Sequence, residues 1–368
     1  MGNAKNRILV AMSGGVDSSL TAVLLHQAGH EVIGVTMRMC KTTESEIRSQ
    51  RPRPCCAPPE VEDACSVAMQ FGFAFYVLDL EKQFEQEIVA PFVSEYLQGR
   101  TPNPCILCNE KIKLGTLLEK ARTYGAAEVA TGHYAIVEYA QAQNRFLLKR
   151  ASDPAKDQSY FLFSLTQAQL ARFRTPLGSQ TKVQTRKLAR RLGLKVARKP
   201  ESQEICFIPD NDYRRFLRER IDASEAIREG NIINTHGETI GRHQGTPFYT
   251  VGQRKGLGIA HRQPLYVLNI DPIHNVLIVG EEAKLFSRIL VASRPNWISI
   301  PELDREISVS AQIRYRHTPA PARVRPLGED RVKVVFEKPQ RAITPGQAVV
   351  FYNKDIVVGG AWIDKVVE

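Results

Sequence analysis

The sequence lacks any apolar run long enough to cross a membrane, although 43% of its 368 residues are hydrophobic. A membrane-spanning helix needs about 20 consecutive apolar residues. Residues 1–6 also lack the charged-then-apolar order of a signal peptide, and Asn6 stands where a myristoylation motif requires Ser or Thr. These absences predict a cytoplasmic protein with no membrane partner.

The cysteines are not expected to form a disulfide framework, because cysteine thiols in the cytoplasm stay reduced. Such thiols serve as core residues, metal ligands or reactive groups. The helical pattern places Cys65 on one face with Ala64, Ala68 and Met69, which predicts a core residue. No role is predicted for Cys55 or Cys56. The seven cysteines are Cys40, Cys55, Cys56, Cys65, Cys105, Cys108 and Cys206.

An acidic excess is absent: 50 Lys and Arg stand against 39 Asp and Glu, a net charge of +11. The first hundred residues hold 9 basic and 12 acidic residues, so the surplus lies in the rest of the chain. That distribution suits a polyanion bound away from the N-terminal part, but scattered surface lysines would also give it. Residues 182–199 contain eight Lys or Arg and no acid, which indicates either a solvated helix face or a nucleic-acid-backbone contact.

Strands and helices alternate through the first third of the chain, which predicts a parallel sheet with helices on both faces. The predicted strands are 8–12, 32–37, 73–80 and 127–131, and the predicted helices are 18–28, 61–70, 84–97 and 111–124. Residues 160–230 have a helical, basic pattern, and residues 231–285 are glycine-rich with little periodicity. From residue 286, short alternating runs predict a small antiparallel barrel with strands at 307–314, 322–326, 331–336, 348–352 and 356–363.

A glycine- and serine-rich turn, Ser13-Gly-Gly-Val-Asp-Ser-Ser19, joins the first predicted strand to the first predicted helix. Glycines let backbone N–H groups approach an anion closely, and the helix N-terminus adds partial positive charge. The turn lacks the Gly-Lys-Ser/Thr ending of a Walker A loop. We interpret it as a phosphate-binding loop; the alternative is an ordinary turn capped by serine.

Cys105 and Cys108 form a Cys-x-x-Cys pair after two prolines. Because proline disfavours helix through the approach, we expect both thiols at the start of the helix that carries Lys111 and Lys113, a setting that favours thiolate. The spacing fits a redox pair, half of a zinc site or part of an iron–sulfur site. No second Cys-x-x-Cys pair completes a structural zinc site. Cys206 stands alone among apolar neighbours, which by itself indicates only a buried residue.

The Ser13–Ser19 turn resembles the SGGxDS signature of the PP-loop ATP pyrophosphatases. Members of that family cleave ATP between the α- and β-phosphates and adenylate a carbonyl or carboxylate oxygen. The resemblance implies ATP and Mg²⁺ as cofactors. It implies nucleotide contacts at Ala11, Met12, Ser13, Gly14, Gly15, Val16, Asp17, Ser18, Met37 and Gly132.

Together with the cysteine segments, this turn resembles the tRNA-specific 2-thiouridylases (the MnmA family) over nearly the whole chain. The family's ILCN segment makes Cys108 the counterpart of its nucleophilic cysteine, and SQEICF makes Cys206 the counterpart of its persulfide-bearing cysteine. The tRNA contacts that the resemblance implies are Asn103, Pro104, Cys105, His133, Lys156, Asp157, Gln158, Arg314, Tyr315 and Gln347.

The same resemblance implies an α/β fold: a PP-loop parallel-sheet domain, a small central domain and a C-terminal antiparallel β-barrel. We expect the PP-loop ATP-binding catalytic domain at 1–217, the central domain at 218–285 and the tRNA-contacting barrel at 286–368. The implied activity is that of a tRNA-uridine 2-sulfurtransferase, which uses ATP to thiolate carbon 2 of the wobble uridine. A cysteine desulfurase, or a relay protein, would supply the sulfur.

One departure from the family concerns Cys105, because many members carry Asp at that position. The side chain at this position therefore lacks the carboxyl group that would act as acid or base in uridine activation. Instead, Cys105, Cys108 and Cys206 provide the three thiolates of a ligand set for a 4Fe–4S cluster, and an open iron would then bind the transferred sulfur. Both the cluster and the persulfide scheme are open at this point.

Two rival functions fit the phosphate loop. A PP-loop ligase that adenylates a small carboxylate would have no use for Cys108 and Cys206. An iron–sulfur or RNA-binding protein that only senses nucleotide would not release AMP and pyrophosphate when tRNA is present.

Overall fold

The computed structural model describes residues 6–39, 58–201, 205–221 and 227–367. Cys40, Cys55 and Cys56 lie outside the described residues. The chain forms two compact units, each built from several segments. The first comprises residues 1–88, 105–211 and 355–357, and the second comprises 89–104, 212–354 and 358–368.

The first unit is built on a parallel sheet, as the alternating pattern predicts. Its strands are β1 (Arg7–Ala11), β2 (Glu31–Arg38), β3 (Ala74–Asp79), β4 (Glu128–Ala130), β5 (Ile136–Ala140), β6 (Arg145–Lys149) and β7 (Phe173–Arg174). Five of them form the sheet in the order β3-β2-β1-β4-β7, with β1 parallel to β2 and β4. The strand order reverses between β1 and β4, so the loops after these two strands meet where α/β proteins bind ligands.

Helices follow most of these strands, and several are shorter than the sequence pattern suggests. The helices of the whole chain are α1 (Val16–Gln27), α2 (Pro58–Phe71), α3 (Glu81–Phe84), α4 (Ala90–Leu97), α5 (Pro104–Leu107), α6 (Leu117–Thr123), α7 (Gln167–Leu170), α8 (Lys182–Arg191) and α9 (Tyr213–Arg220). Segments Glu85–Val89 and Cys108–Thr116 are wider π-helical turns. Short 3₁₀ turns occupy Gln141–Gln143, Ser159–Leu162, Lys195–Arg198, Thr246–Phe248 and Glu282–Leu285.

The core of the first unit lies between β1 and the helices packed on it. Four of the five β1 residues are buried, because a parallel sheet is covered on both faces. On α2 the buried stripe is Ala64, Val67 and Ala68, whereas Met69 is 78% exposed and Cys65 is half-buried. The predicted core face was therefore wrong at Met69, which lies about 100° around the helix from Ala68.

The glycine-rich segment of the second unit forms a sheet, although its sequence shows little periodicity. Its strands are β8 (Gly230–Ile233), β9 (Thr239–His243), β10 (Tyr266–Asp271) and β11 (Val276–Gly280), in the order β10-β11-β8-β9. Only β11 and β8 are parallel to each other. Bulges in β10 and in the β8–β9 pair interrupt the alternation of side chains, which explains why the pattern was weak.

The C-terminal strands close into an antiparallel barrel, which confirms the prediction. They are β12 (Phe286–Trp297), β13 (Ile307–Gln312), β14 (Ala320–Pro326), β15 (Arg331–Arg341), β16 (Ala348–Asn353) and β17 (Ile356–Val367). The order is β12-β15-β14-β13-β16-β17, and pairing of β17 with β12 completes the ring. Leu290, Val324, Phe336 and Phe351 fill its interior.

The α/β sheet, the small central sheet and the barrel confirm the predicted fold class. The bounds 1–217, 218–285 and 286–368 stay a prediction. Within the described ranges, no helix is both long and apolar enough to span a bilayer.

Candidate active site

The Ser13–Ser18 turn lies between β1 and α1 and is shaped by Gly14. Gly14 has φ +68°, and a Cβ at this position would lie 2.2 Å from the backbone oxygen of Glu60. Only glycine fits there, because a side chain would be strained and would clash with backbone. Ser18 Oγ, 3.1 Å from the Ser13 backbone nitrogen that donates to it, holds the turn closed.

Gly15 is the N-cap of α1 and leaves the helix N-terminus without a side-chain cap. The first N–H groups of a helix have no intrahelical partner, so here they are available to an anion. A Cβ on Gly15 would meet only Ser13 Oγ, at 3.6 Å. Gly14 therefore fixes the turn, whereas Gly15 keeps its outer side open.

Gly132 follows β4 and lies directly against the phosphate loop. A Cβ on Gly132 would be 2.8 Å from both the carbonyl carbon of Asp17 and the backbone nitrogen of Ser18. The structure thus brings together Gly132 and the loop, which the sequence separates by more than a hundred residues. Ala11, Met12 and Met37 are buried at the ends of β1 and β2, where the hydroxyl of Thr36 donates to Met12 O at 2.8 Å.

Asp17, the only acidic residue of the loop, has partners that the sequence analysis missed. Lys182 Nζ lies 2.8 and 2.7 Å from its two carboxylate oxygens, and Tyr134 OH lies 2.8 Å from Oδ1. Burial raises the pKa of Tyr134, and the negative charge of Asp17 raises it further, so the phenol stays protonated. On α8 the buried residues are Lys182, Thr185 and Ala189. The helical register of Lys182 with two small residues, Thr185 and Ala189, indicates in the sequence that this lysine is buried, but not which residue it contacts.

Glu201 extends this set of charged residues. Its Oε1 lies 3.1 Å from Lys182 Nζ and its Oε2 lies 2.6 Å from Lys156 Nζ. Burial opposes ionisation of Glu201, but the hydrogen bonds and charges of Lys156 and Lys182 outweigh it and lower the pKa to about 2. The carboxylate is therefore charged at neutral pH, and it links Lys156, a predicted tRNA contact, to Lys182, the lysine of α8 that contacts Asp17 of the phosphate loop.

Of the two cysteines of the Cys-x-x-Cys pair, Cys105 lies at the start of a helix as predicted and Cys108 does not. The helix begins at Pro104, because proline is tolerated in a first helical turn, so Cys105 is in that turn and Cys108 begins the π-helical segment. Cys108 is buried, whereas Cys105 and Cys206 are half-buried. The expectation that the Cys108 thiol sits at a helix N-terminus was wrong; that position belongs to Cys105.

The π-helical segment that starts at Cys108 is held by side chains from elsewhere in the first unit. Gln169 Nε2 donates to Glu110 O and Leu114 O, both at 2.9 Å, and Asn109 Nδ2 donates to Phe161 O at 3.1 Å. A Cβ on Gly115 would lie 3.1 Å from Glu110 O, so glycine eases the wide turn. π-helical turns often occur at functional sites, since they re-aim one side chain of a helix.

Among the residues that the structure describes, no group of three or more His, Cys, Asp or Glu side chains is arranged to hold a metal ion. Cys105, Cys108 and Cys206 are therefore not assembled here as a ligand set. Mg²⁺ needs less from the protein, because one or two carboxylates plus phosphate oxygens usually hold it. Asp17 supplies a carboxylate at the phosphate loop.

Known proteins match nearly the whole chain. Family models match residues 6–210 (tRNA methyl transferase HUP domain), 214–281 (tRNA methyl transferase PRC-barrel domain) and 287–363 (aminomethyltransferase beta-barrel domain). The tRNA-specific 2-thiouridylase MnmA of Geotalea uraniireducens is 49% identical over 99% of this chain and 96% of its own length. That of Carboxydothermus hydrogenoformans is 50% identical over 98% of both chains. The chain belongs to the tRNA-specific 2-thiouridylase family.

Membership of the 2-thiouridylase family confirms both the resemblance and the predicted class of enzyme, a tRNA-uridine 2-sulfurtransferase. It also accounts for a PP-loop on a parallel sheet, since the HUP-domain match covers β1 to β7. Two of the domain families carry the words "methyl transferase" in their descriptions, whereas the relatives that match over nearly their entire length are thiouridylases.

The tRNA contacts expected in the first unit of this 2-thiouridylase are mostly engaged within the protein. Asp157 is buried and accepts hydrogen bonds from Arg150, from Ser159 Oγ and from two backbone N–H groups. Gln158 Oε1 accepts from the Tyr134 backbone at 2.9 Å. These hydrogen bonds fix the shape of the 156–158 turn, and both side-chain oxygens of Asp157 accept hydrogen bonds within the protein.

His133 is also buried, and burial followed by the positive charge of Lys113 holds its pKa well below the ordinary value. Its Nδ1 is 2.6 Å from Thr131 Oγ1. The ring is therefore neutral at physiological pH, so a contact with tRNA through His133 would be a hydrogen bond rather than an ion pair.

In the second unit, Gln347 is tied to the segment that precedes Asn103 and Pro104. Gln347 Nε2 donates to Thr101 O at 2.9 Å, and the Thr101 backbone donates to Pro345 O at 2.9 Å. Arg314 Nη1 donates to Arg341 O at 3.0 Å. Gln347 therefore contacts Thr101 and Pro102, which directly precede the expected contacts Asn103 and Pro104.

The basic 182–199 stretch divides into two sets. Lys182, Arg186 and Lys199 point to carboxylates or backbone carbonyls of the first unit. The other five cations are exposed and have no ion-pair partner among the described residues: Lys187, Arg190, Arg191, Lys195 and Arg198. The exposed side is therefore solvated, and its contact with a nucleic-acid backbone stays a prediction.

Proposed function

We propose that this enzyme adenylates oxygen 2 of the wobble uridine of tRNA and replaces it with sulfur carried by Cys206. The observation that carries the proposal is the loop at the strand-order reversal, where Gly14 and Gly132 keep the backbone free of side chains beside Asp17. A polyphosphate bound there would place its anionic groups on backbone N–H donors and the α1 N-terminus.

Adenylation solves a leaving-group problem. Oxygen on carbon 2 of uracil is a poor leaving group. It attacks the α-phosphate of ATP and expels pyrophosphate, so that it remains on carbon 2 as an adenylate and can later leave as part of AMP. Ser13, Gly14, Gly15 and Ser18 would hold the pyrophosphate. Mg²⁺, held by Asp17 and phosphate oxygens, would neutralise charge on the phosphates.

In the next steps Cys206 delivers the sulfur and Cys108 releases the thiolated product. A cysteine desulfurase, or a relay protein, would load Cys206 as a persulfide, whose terminal sulfur attacks carbon 2 and expels AMP. The Cys108 thiolate attacks Cys206 Sγ; the sulfur–sulfur bond breaks, thiouridine leaves, and a Cys108–Cys206 disulfide remains for an external thiol to reduce. A 4Fe–4S cluster on Cys105, Cys108 and Cys206 is the alternative sulfur carrier, and no step is assigned to it.

The expected nucleic-acid partner is tRNA and the expected compartment is the cytoplasm. The five exposed cations of the 182–199 stretch support tRNA binding, because phosphate contacts provide most of the affinity of such interfaces. The target base must leave its stack, since stacking hides carbon 2 from attack.

The test combines two measurements on the wild-type protein. Release of AMP and pyrophosphate that depends on tRNA, with formation of 2-thiouridine from a desulfurase and cysteine, is the expected result. AMP release with a small carboxylate but not with tRNA would instead identify a ligase. In the proposed reaction, Cys108→Ala and Cys206→Ala each stop thiolation while ATP still binds.

A further inference from the structure

The π-helical segment Cys108–Thr116 is nine residues long, whereas most π-helices are single wide turns inside an α-helix. Contacts from other elements must therefore stabilise the wide form over this length. Cys108 is the first residue of the segment and is only 6% exposed. Whatever holds the segment in its wide form also fixes the backbone from which the Cys108 thiol extends.

A single side-chain amide bridges this segment. Gln169 Nε2 donates to Glu110 O and Leu114 O, both at 2.9 Å. An amide nitrogen has two hydrogens, so both are used, and the two carbonyls are held together although they lie four residues apart in the chain. Asn109 Nδ2 supplies a further tie, to Phe161 O at 3.1 Å. The amide of Gln169 thus sets the spacing of two turns of the π-helical segment.

The orientation of the Gln169 amide is fixed by Thr166. Gln169 Oε1 accepts hydrogen bonds from the Thr166 backbone N–H at 2.9 Å and from the Thr166 hydroxyl at 3.1 Å, as part of a capping box at the start of α7. The oxygen of the amide therefore serves the helix cap, and the nitrogen serves the π-helical segment. Because both ends of the amide are satisfied, it has one preferred orientation.

A second capping box in the same unit shows what a cap alone requires. Thr181 and Gln184 form the same reciprocal pair at the start of α8, where the Thr181 backbone donates to Gln184 Oε1 at 2.7 Å. Gln184 is exposed, and among the described residues its Nε2 has no hydrogen-bond partner. Capping therefore uses only the oxygen of the glutamine side chain. The two donors of Gln169 are an addition that the cap does not need.

We propose that Gln169 is a positioning residue for Cys108. Its amide maintains the wide turns that begin at Cys108, and so keeps the thiol buried and in the place from which it attacks a neighbouring sulfur atom. Gln169 acts through the segment and not on the substrate. The proposal rests on the proposed function only in that Cys108 is the nucleophile.

The experiment compares Gln169→Glu with the matched control Gln184→Glu. Glutamate keeps the acceptor that each capping box uses, since Glu and Gln are interchangeable at this position of the box. In Gln169→Glu, however, an oxygen replaces Nε2 and faces the two carbonyls of the π-helical segment. The variant therefore removes the tie to the segment and retains the helix cap.

The first measurement is the rate at which a dipyridyl disulfide labels Cys108, followed by mass spectrometry without ATP or tRNA. A buried thiol reacts from a locally opened state, so losing the two hydrogen bonds should speed labelling about 10-fold at about pH 8. Cys65 on α2 is the internal reference and should change by less than about 2-fold. Gln184→Glu should label at the wild-type rate at both cysteines.

Two further readouts separate positioning from a general loss of stability. At about pH 5 the carboxyl of Gln169→Glu is protonated and regains an O–H donor, so its Cys108 labelling rate should return towards that of wild type at the same pH. In thiolation assays at saturating tRNA, kcat should fall about 10-fold while KM for ATP stays within about 2-fold.

Gln169→Met and Gln184→Met repeat the comparison without an added charge, and the first should also speed labelling of Cys108. Equal labelling of Cys108 in the Gln169 variants and their Gln184 controls would overturn the proposal. Equal acceleration at Cys65 and Cys108 would overturn it as well, because the whole unit would then have loosened. Failure of wild-type protein to form 2-thiouridine would count against the proposed function, whereas the labelling rates would still report on Gln169.

Discussion

Gly132 and Asp17 touch through their backbones: a Cβ on Gly132 would lie 2.8 Å from the Asp17 carbonyl carbon. Gly132 lies after β4 and Asp17 opens α1, so this contact fixes the spacing of the two loops at the strand-order reversal. Backbone atoms cannot swing away as a flexible side chain can. The phosphate loop can therefore lie in its observed position only because residue 132 has no Cβ.

We predict that Gly132→Ala lowers stability by about 1–3 kcal/mol and weakens ATP binding, because the added methyl pushes the phosphate loop out of place. Gly15→Val is the matched variant. Its Cβ position is open, apart from Ser13 Oγ at 3.6 Å, so folding should be near normal while ATP-dependent chemistry is lost. Calorimetry gives stability and titration gives ATP affinity. Normal turnover in Gly15→Val would contradict the phosphate-loop assignment.

Local features of this fold could be predicted from the sequence, whereas long-range features could not. The apolar runs of β1 and β2 indicate a parallel sheet because both of its faces are buried, and the loop motif predicts a phosphate site. The β5–β6 hairpin was missed because its turn uses Asn144, with φ +50°, instead of glycine. The Lys182–Asp17 pair spans 165 residues, and no local pattern reports a contact of that range.

The second prediction concerns tRNA binding by the exposed face of α8. Lys187 and Arg190 are neighbours on that face, so Lys187→Glu/Arg190→Glu should weaken tRNA binding alike for all tRNA sequences. The slope of log affinity against log salt should fall by about one for each lost phosphate contact. The control is Lys120→Glu/Arg122→Glu on the exposed surface of α6, which makes the same change in net charge. Equal effects of the two pairs would mean that only net charge matters.

His133 leads to a prediction about acid pH. Its pKa in the folded protein is lowered by burial and by Lys113, so the unfolded chain binds a proton more readily. Stability should therefore fall as pH drops below about 6.5, with a slope of up to ~1.4 kcal/mol per pH unit from this group. His133→Gln should flatten that slope, while His236→Gln, at an exposed turn, should not. Denaturant titrations between pH 5 and 8 measure it; an unchanged slope in His133→Gln would contradict the neutral-ring assignment.

The last prediction separates the two sulfur carriers at Cys105. Both schemes require Cys108 and Cys206, so alanine at either stops thiolation without preventing ATP binding. In the persulfide scheme Cys105 is a pocket residue, and Cys105→Ser retains substantial activity. In the cluster scheme it is the third iron ligand, and serine loses both iron and activity, because a hydroxyl oxygen is a poor substitute for thiolate.

The decisive measurement is iron content and thiolation rate of wild-type protein and Cys105→Ser, both prepared without oxygen. The position of Cys105 in the first turn of the helix that continues to Cys108 suits either role. The two roles differ in the movement that each requires. Among the described residues the three thiols do not form a ligand group, so a cluster would require them to move together. A persulfide requires only that Cys206 reach the activated base. An iron-free wild type that thiolates at full rate from a desulfurase would exclude the cluster. Loss of iron and rate together in Cys105→Ser would exclude the simple persulfide scheme.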